Sequence, residues 1–73
     1  MAIVEVRTEI TGVVRALVAA KGERVAEDAP IVMLESMKMS IPVSAPEAGV
    51  VTEILVTEEQ IVTEGSVVAR LKV

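Results

Sequence analysis

Lys38 lies between two methionines, in the string Glu35-Ser36-Met37-Lys38-Met39, and it is the side chain best suited to chemistry in this chain. It offers a primary amine on a long flexible stem, which suits carrying a group more than transforming one. Rival constellations are missing. With no Cys and no His, there can be no thiol nucleophile, no Ser-His-Asp arrangement and no conventional zinc site. The 4 glycines are dispersed, so no phosphate-cradling loop is formed. The acidic pairs Glu27-Asp28 and Glu58-Glu59 fall in expected turns and read as solvated charges. Lys21 and Lys72 lack flanking methionines, and Lys72 falls in the last expected strand.

The elements around Lys38 come from a duplication. Residues 2–36 slide onto 39–73 at a constant spacing of 37 without a gap. Identical pairs are Val6/Val43, Gly12/Gly49, Val13/Val50, Val14/Val51, Val25/Val62, Glu27/Glu64 and Leu34/Leu71. Short apolar stretches punctuated by Gly, Pro, Ser and acidic residues predict strands near 2–7, 12–19, 24–26 and 31–36. Their repeats fall near 39–44, 49–56, 61–63 and 67–72. Residues 13–21 show some helical periodicity, but their repeat, from Val50 to Thr57, reads as strand, so both are assigned strand. Val13, Val14, Leu17 and Val18 cannot all face one side of a regular strand. Either a bulge resets the phase or both faces are partly covered.

If 31–36 and 39–44 pair antiparallel, Met37-Lys38 is a two-residue hairpin loop. Such loops favour type I′ or II′ turns with central residues at positive φ. A full L side chain there costs about 1–2 kcal/mol, and Met-Lys is a poor turn sequence. A position whose local chemistry contradicts its structural role is where function overrides stability. Symmetry between the halves makes the chain ends equivalent to positions 37–38. The lysine turn should therefore project alone at one end, with the termini at the other.

Composition fits one small all-β domain over residues 1–73. Val and Ile together number 21, Thr adds 5, and aromatic residues are absent. Such β-branched chains are stiff and fit a pleated surface. The net charge of −4 is spread over separate Glu residues, which argues against a nucleic-acid surface. The longest apolar run, Ala16–Ala20, is too short to span a bilayer. The N-terminus, Met1-Ala2-Ile3-Val4-Glu5, shows no signal peptide, so a cytoplasmic location is expected. With no aromatic patch to suggest an obligate interface, a monomer is expected.

Glu35-Ser36-Met37-Lys38-Met39 closely resembles the biotin-attachment signature, usually Glu-Ala-Met-Lys-Met, of biotin carboxyl carrier domains. The likeness to the biotinyl/lipoyl attachment family extends over essentially the whole chain. It takes in the Gly22-Glu23-x-Val25 turn, Ile41-Pro42-x-x-Ala45-Pro46, the Gly49-Val50-Val51 restart and Glu64-Gly65-x-x-Val68. The resemblance implies a flattened β-barrel or sandwich of two four-stranded antiparallel sheets related by a pseudo-twofold axis. It also implies biotin joined to Lys38 by a biotin protein ligase, with Glu35, Met37 and Met39 as the ligase's recognition residues. A lysine amine in water titrates near about 10.4 and this chain supplies no strong base, so the ligase would remove the proton. The loaded arm would then shuttle carboxyl groups between a biotin carboxylase and a carboxyltransferase, with an acyl-CoA as the expected acceptor. The chain departs from the family's turns at two points: Glu59 stands opposite Gly22 in the repeat, and Asp28 opposite Gly65. There is no room for the additional thumb segment found in some bacterial carriers. Two rivals remain: a lipoyl carrier of a 2-oxo acid dehydrogenase complex, and a β-interaction module that is never modified.

Overall fold

The computed structural model describes residues 2–73, none of them helical. The elements are β1 (Ile3–Arg7), β2 (Gly12–Leu17), β3 (Arg24–Val25), β4 (Pro30–Ser36), β5 (Met39–Ser44), β6 (Gly49–Ile54), β7 (Ile61–Val62) and β8 (Val67–Lys72). They form two four-stranded sheets, ordered β1-β8-β6-β3 and β5-β4-β2-β7, with every pairing antiparallel. Renaming each strand by its repeat mate turns one order into the other. The expected two-sheet sandwich with pseudo-twofold symmetry is present, and the helical alternative for 13–21 is excluded.

Symmetry extends to hydrogen bonds and irregularities. The amide of Gly22 donates to Val51 O and that of Glu59 to Val14 O, both at 2.7 Å. Register shifts skip Arg15 in β2 and its mate Thr52 in β6. A second matching pair of shifts falls at Ile31 and Val68. The bulge at Arg15 answers the phase question: Val14 points inward, while Leu17 and Val18 beyond it are exposed. β2 ends earlier than expected, at Leu17 in place of residue 19. The amides of Val18 and Ala19 then converge on a single acceptor, Ile31 O, at 2.9 and 3.1 Å. β6 likewise stops at Ile54.

The core is a list of repeat mates. Val6/Val43, Val14/Val51, Val25/Val62, Ile31/Val68, Val32/Ala69 and Leu34/Leu71 are all buried. Even Thr8, the one buried polar residue among those described, has a buried mate, Ala45. The Thr8 hydroxyl is satisfied locally, donating to Ile10 O at 2.8 Å and accepting from Ile10 N at 3.1 Å. Small branched side chains fill a thin interior, giving a body of 36 × 19 × 19 Å.

Gly12 and Gly49 show why the Gly-Val-Val match exists. A Cβ on Gly12 would come within 2.7 Å of Glu35 O, and one on Gly49 within 2.6 Å of Lys72 O. Each glycine lets its strand press against the end of a neighbouring long strand. At Gly12 that strand end leads into the lysine hairpin.

Candidate functional site

β4 and β5 pair from Pro30/Ser44 up to Ser36/Met39 and close through Met37 and Lys38. Both loop residues are at positive φ, 53° and 65°, as a type I′ turn requires. Neither glycine nor asparagine relieves the strain, so the ladder below must hold the turn in place. Buried Leu34 and Val32 anchor that ladder from within.

Its product is exposure. Met37 is 89% exposed and Met39 58%, far beyond the packing role that methionines usually take. Lys38 is exposed as well. Among the described residues no carboxylate lies within ion-pair distance of its amine. The mates of Ser36 and Met39 are Val73 and Ala2, whose backbones bond to each other at 3.0 and 3.4 Å. Chain ends and hairpin therefore occupy equivalent places at opposite ends of the molecule.

Glu35 lies in β4 and turns along the outer face of the sheet, away from Lys38. Its carboxylate accepts from Arg15 Nε at 2.7 Å, and the same guanidinium reaches Glu59 at 2.8 Å. These two carboxylates raise the Arg15 pKa, the hydrogen bond and charge of Glu35 contributing most. Arg15 was not singled out from the sequence, and neither was its bond to Glu59. The signal available was the broken alternation at 13–18, which marks a bulge, a device that leaves one residue unpaired and re-aims its side chain. Glu59, read as a solvated charge, is exposed but tied into this three-residue chain.

The turn departures have a structural answer too. Asp28 and Glu59 adopt φ of 69° and 72°, matching the left-handed geometry of Gly65 and Gly22. The fold keeps the turn at all four places and imposes it on two side chains that resist it.

Elsewhere, a groove of about 530 Å³ between β1 and β5 is lined by residues that include Glu5, Arg7, Asp28, Ile41 and Pro42. Arg7 and Glu5 there are paired to each other at 2.6 Å. Among the described residues no group of three or more His, Cys, Asp and Glu could hold a metal ion. None of the three lysines makes an ion pair among the described residues, but Lys38 alone of them stands at a hairpin tip between two exposed methionines, and that geometry fits covalent loading.

Residues 2–71 match the family model described as biotin-requiring enzyme. The chain belongs to this family. A curated relative, the biotinylated protein TB7.3 homolog of Mycobacterium leprae, is 37% identical over 65 residues, covering 89% of this chain and 92% of that one. Among solved structures, the urea carboxylase of Kluyveromyces lactis superposes with a TM-score of 0.93 at 29% identity. The match takes in 99% of this chain and 6% of that one. A single-chain, multi-domain long-chain acyl-CoA carboxylase gives 0.86 at 31% identity, over 93% and 7% of the two chains. The lipoyl domain of the 2-oxoglutarate dehydrogenase complex from Azotobacter vinelandii gives 0.69 at 32%, over 85% and 78%. The chain thus spans only a small part of either carboxylase. Its family assigns it covalent biotin as cofactor and the role of a carrier domain.

Proposed function

We propose that the domain is a biotin carboxyl carrier whose Lys38 Nζ forms the amide with biotin in the active site of a biotin protein ligase. One observation carries this reading: a single unpaired amine stands at the tip of a strained but rigid hairpin, flanked by two exposed methionines. Lys38 gives the nucleophile, once the ligase has taken its proton, and attacks the biotinyl-adenylate that the ligase makes from biotin and ATP, so that the amide forms as the bond to AMP breaks. Met37 and Met39 give apolar contact beside it, and Glu35, held in place by Arg15, gives a fixed polar contact. When bound, biotin supplies a ureido nitrogen that takes up and releases a carboxyl group. The chain's part is presentation, because a tether keeps the arm at high effective concentration near its partners. Biotin carboxylase and carboxyltransferase are the partners we assign, with an acyl-CoA as acceptor. The likeness to a long-chain acyl-CoA carboxylase supports that acceptor. We place the domain in the cytoplasm, as a monomer.

Incubation with biotin, ATP and a biotin protein ligase should add one biotinyl group by intact mass. The Lys38→Arg variant should add none, and labelling of Lys21 or Lys72 would refute the site. Likeness to a lipoyl domain favours a second reading. It would prevail if a lipoate ligase loaded the chain and the biotin ligase did not. Supplying the loaded domain and its carboxylase with an acyl-CoA or with urea would decide the acceptor.

A further inference from the structure

The duplication provides an internal control. Backbone geometry is the same at both ends of the molecule, so a difference between repeat mates on the surface reflects something other than the demands of folding. On the outer face beside the hairpin, Ile61, Val13, Glu35 and Ser40 stand directly opposite one another across four strands. Their mates Arg24, Val50, Lys72 and Ile3 form the same row at the terminal end. In the hairpin row Ile61 and Glu35 stand where the terminal row carries the cations Arg24 and Lys72, while Ser40 stands where that row carries the exposed Ile3, so the rows differ chiefly in charge and in where the apolar residue sits. The adjoining turns differ in the same sense, with Glu58 and Glu59 opposite Lys21 and Gly22.

Ile61 is the notable member. It is 71% exposed, on a two-residue edge strand whose other residue, Val62, is buried. A lone exposed aliphatic would need no explanation, but this one adjoins Val13 and lies two strands, roughly 10 Å, from Glu35. Exposed Met37 continues the apolar character at the tip. We propose that this face, centred on Ile61 and edged by Glu35, Glu58 and Glu59, three acids around the single cation Arg15 that pairs with two of them, is a docking surface for the biotin protein ligase. The partner it fits presents an apolar socket with basic flanks. Such a partner would be attracted to the hairpin end and repelled from Lys21, Arg24 and Lys72 at the other. The inference rests on the carrier reading above and names how its first partner finds the correct end.

The test transplants one end onto the other. Glu58→Lys, Glu59→Gly, Gln60→Glu and Ile61→Arg together give the 58–61 turn the sequence of 21–24. That turn already folds in the same geometry, down to the cap: Glu23 accepts from Ala20 N as Gln60 does from Thr57 N. The quadruple variant should melt no lower than the wild type, while kcat/KM for biotin transfer falls about tenfold, as for loss of an anchor residue. The fall should come through KM for the domain, with kcat nearly unchanged. Added salt should slow wild-type transfer more than that of the variant. Ile61→Arg alone should give part of the KM effect, and Ile61→Leu should restore it. Wild-type kinetics in the quadruple variant would overturn the docking surface. So would a variant loaded normally but carboxylated slowly, which would assign the face to the carboxylase. A wild-type domain that no biotin ligase loads would overturn the carrier reading itself, and this surface with it.

Discussion

Among the described residues, four other than glycine occupy left-handed backbone: Asp28, Met37, Lys38 and Glu59. Two lie in the hairpin, which carries the acceptor we propose, and two in turns whose repeat mates are glycine. Replacing Glu59 by Gly should release about 1 kcal/mol of strain, partly offset by the freedom glycine gains in the unfolded chain. The exposed Arg15 pair that it removes contributes little. Thermal melts should therefore show Glu59→Gly equal to or more stable than the wild type. Gly22→Ala should move the other way by about 1 kcal/mol, although nothing lies within 4 Å of the added methyl, because the residue sits at φ 90°. Arg15 adds no pH dependence in the working range. A raised cation pKa contributes stability that is fully present below the unfolded value and is lost only far into alkali.

At the scale of elements, the hairpin owes its rigidity to close approach. Gly12 has no left-handed φ to explain it; it is glycine because β2 must touch the β4 backbone at Glu35. Gly12→Ala should destabilise the domain by about 1–3 kcal/mol, measured by denaturant unfolding. Because the clash is with Glu35 O, the surviving folded fraction should also accept biotin more slowly. Gly49→Ala, its mate at the terminal end, should destabilise similarly, since its Cβ meets Lys72 O at 2.6 Å. Biotin transfer to its folded fraction should be normal.

As a whole, the molecule is nearly the same viewed from either end, and only surface chemistry distinguishes them. A circular permutant makes this testable. Joining Val73 to Ala2 through Met-Lys and removing Met37 and Lys38, so that the chain runs from Met39 round to Ser36, should preserve the fold, since Ala2 and Val73 already pair as Ser36 and Met39 do. The new lysine would sit on the same backbone among Lys21, Arg24 and Lys72. It should be loaded much more slowly than Lys38 in the parent, as followed by intact mass over time. Equal loading would mean that the hairpin alone suffices for recognition.

Spacing and residue type alone determined the eight strands, the duplication, the two-residue turn and Lys38 at its tip. A repeat of 37 and alternating β-branched residues are local signals, and they fix which segments pair and where the chain reverses. The repeat set Glu59 opposite Gly22 and Asp28 opposite Gly65, where the family's turns take glycine, and left the turn shape at those two places open. Only the tertiary structure joined Arg15 to Glu35 and Glu59, residues 20 and 44 positions away along the chain. It alone set Ile61 in the same row as the signature. Those contacts cross from strand to strand, and their register depends on a bulge whose place the broken alternation of β2 suggested without fixing. Sequence order carries no record of which outward-facing side chains a bulge brings together.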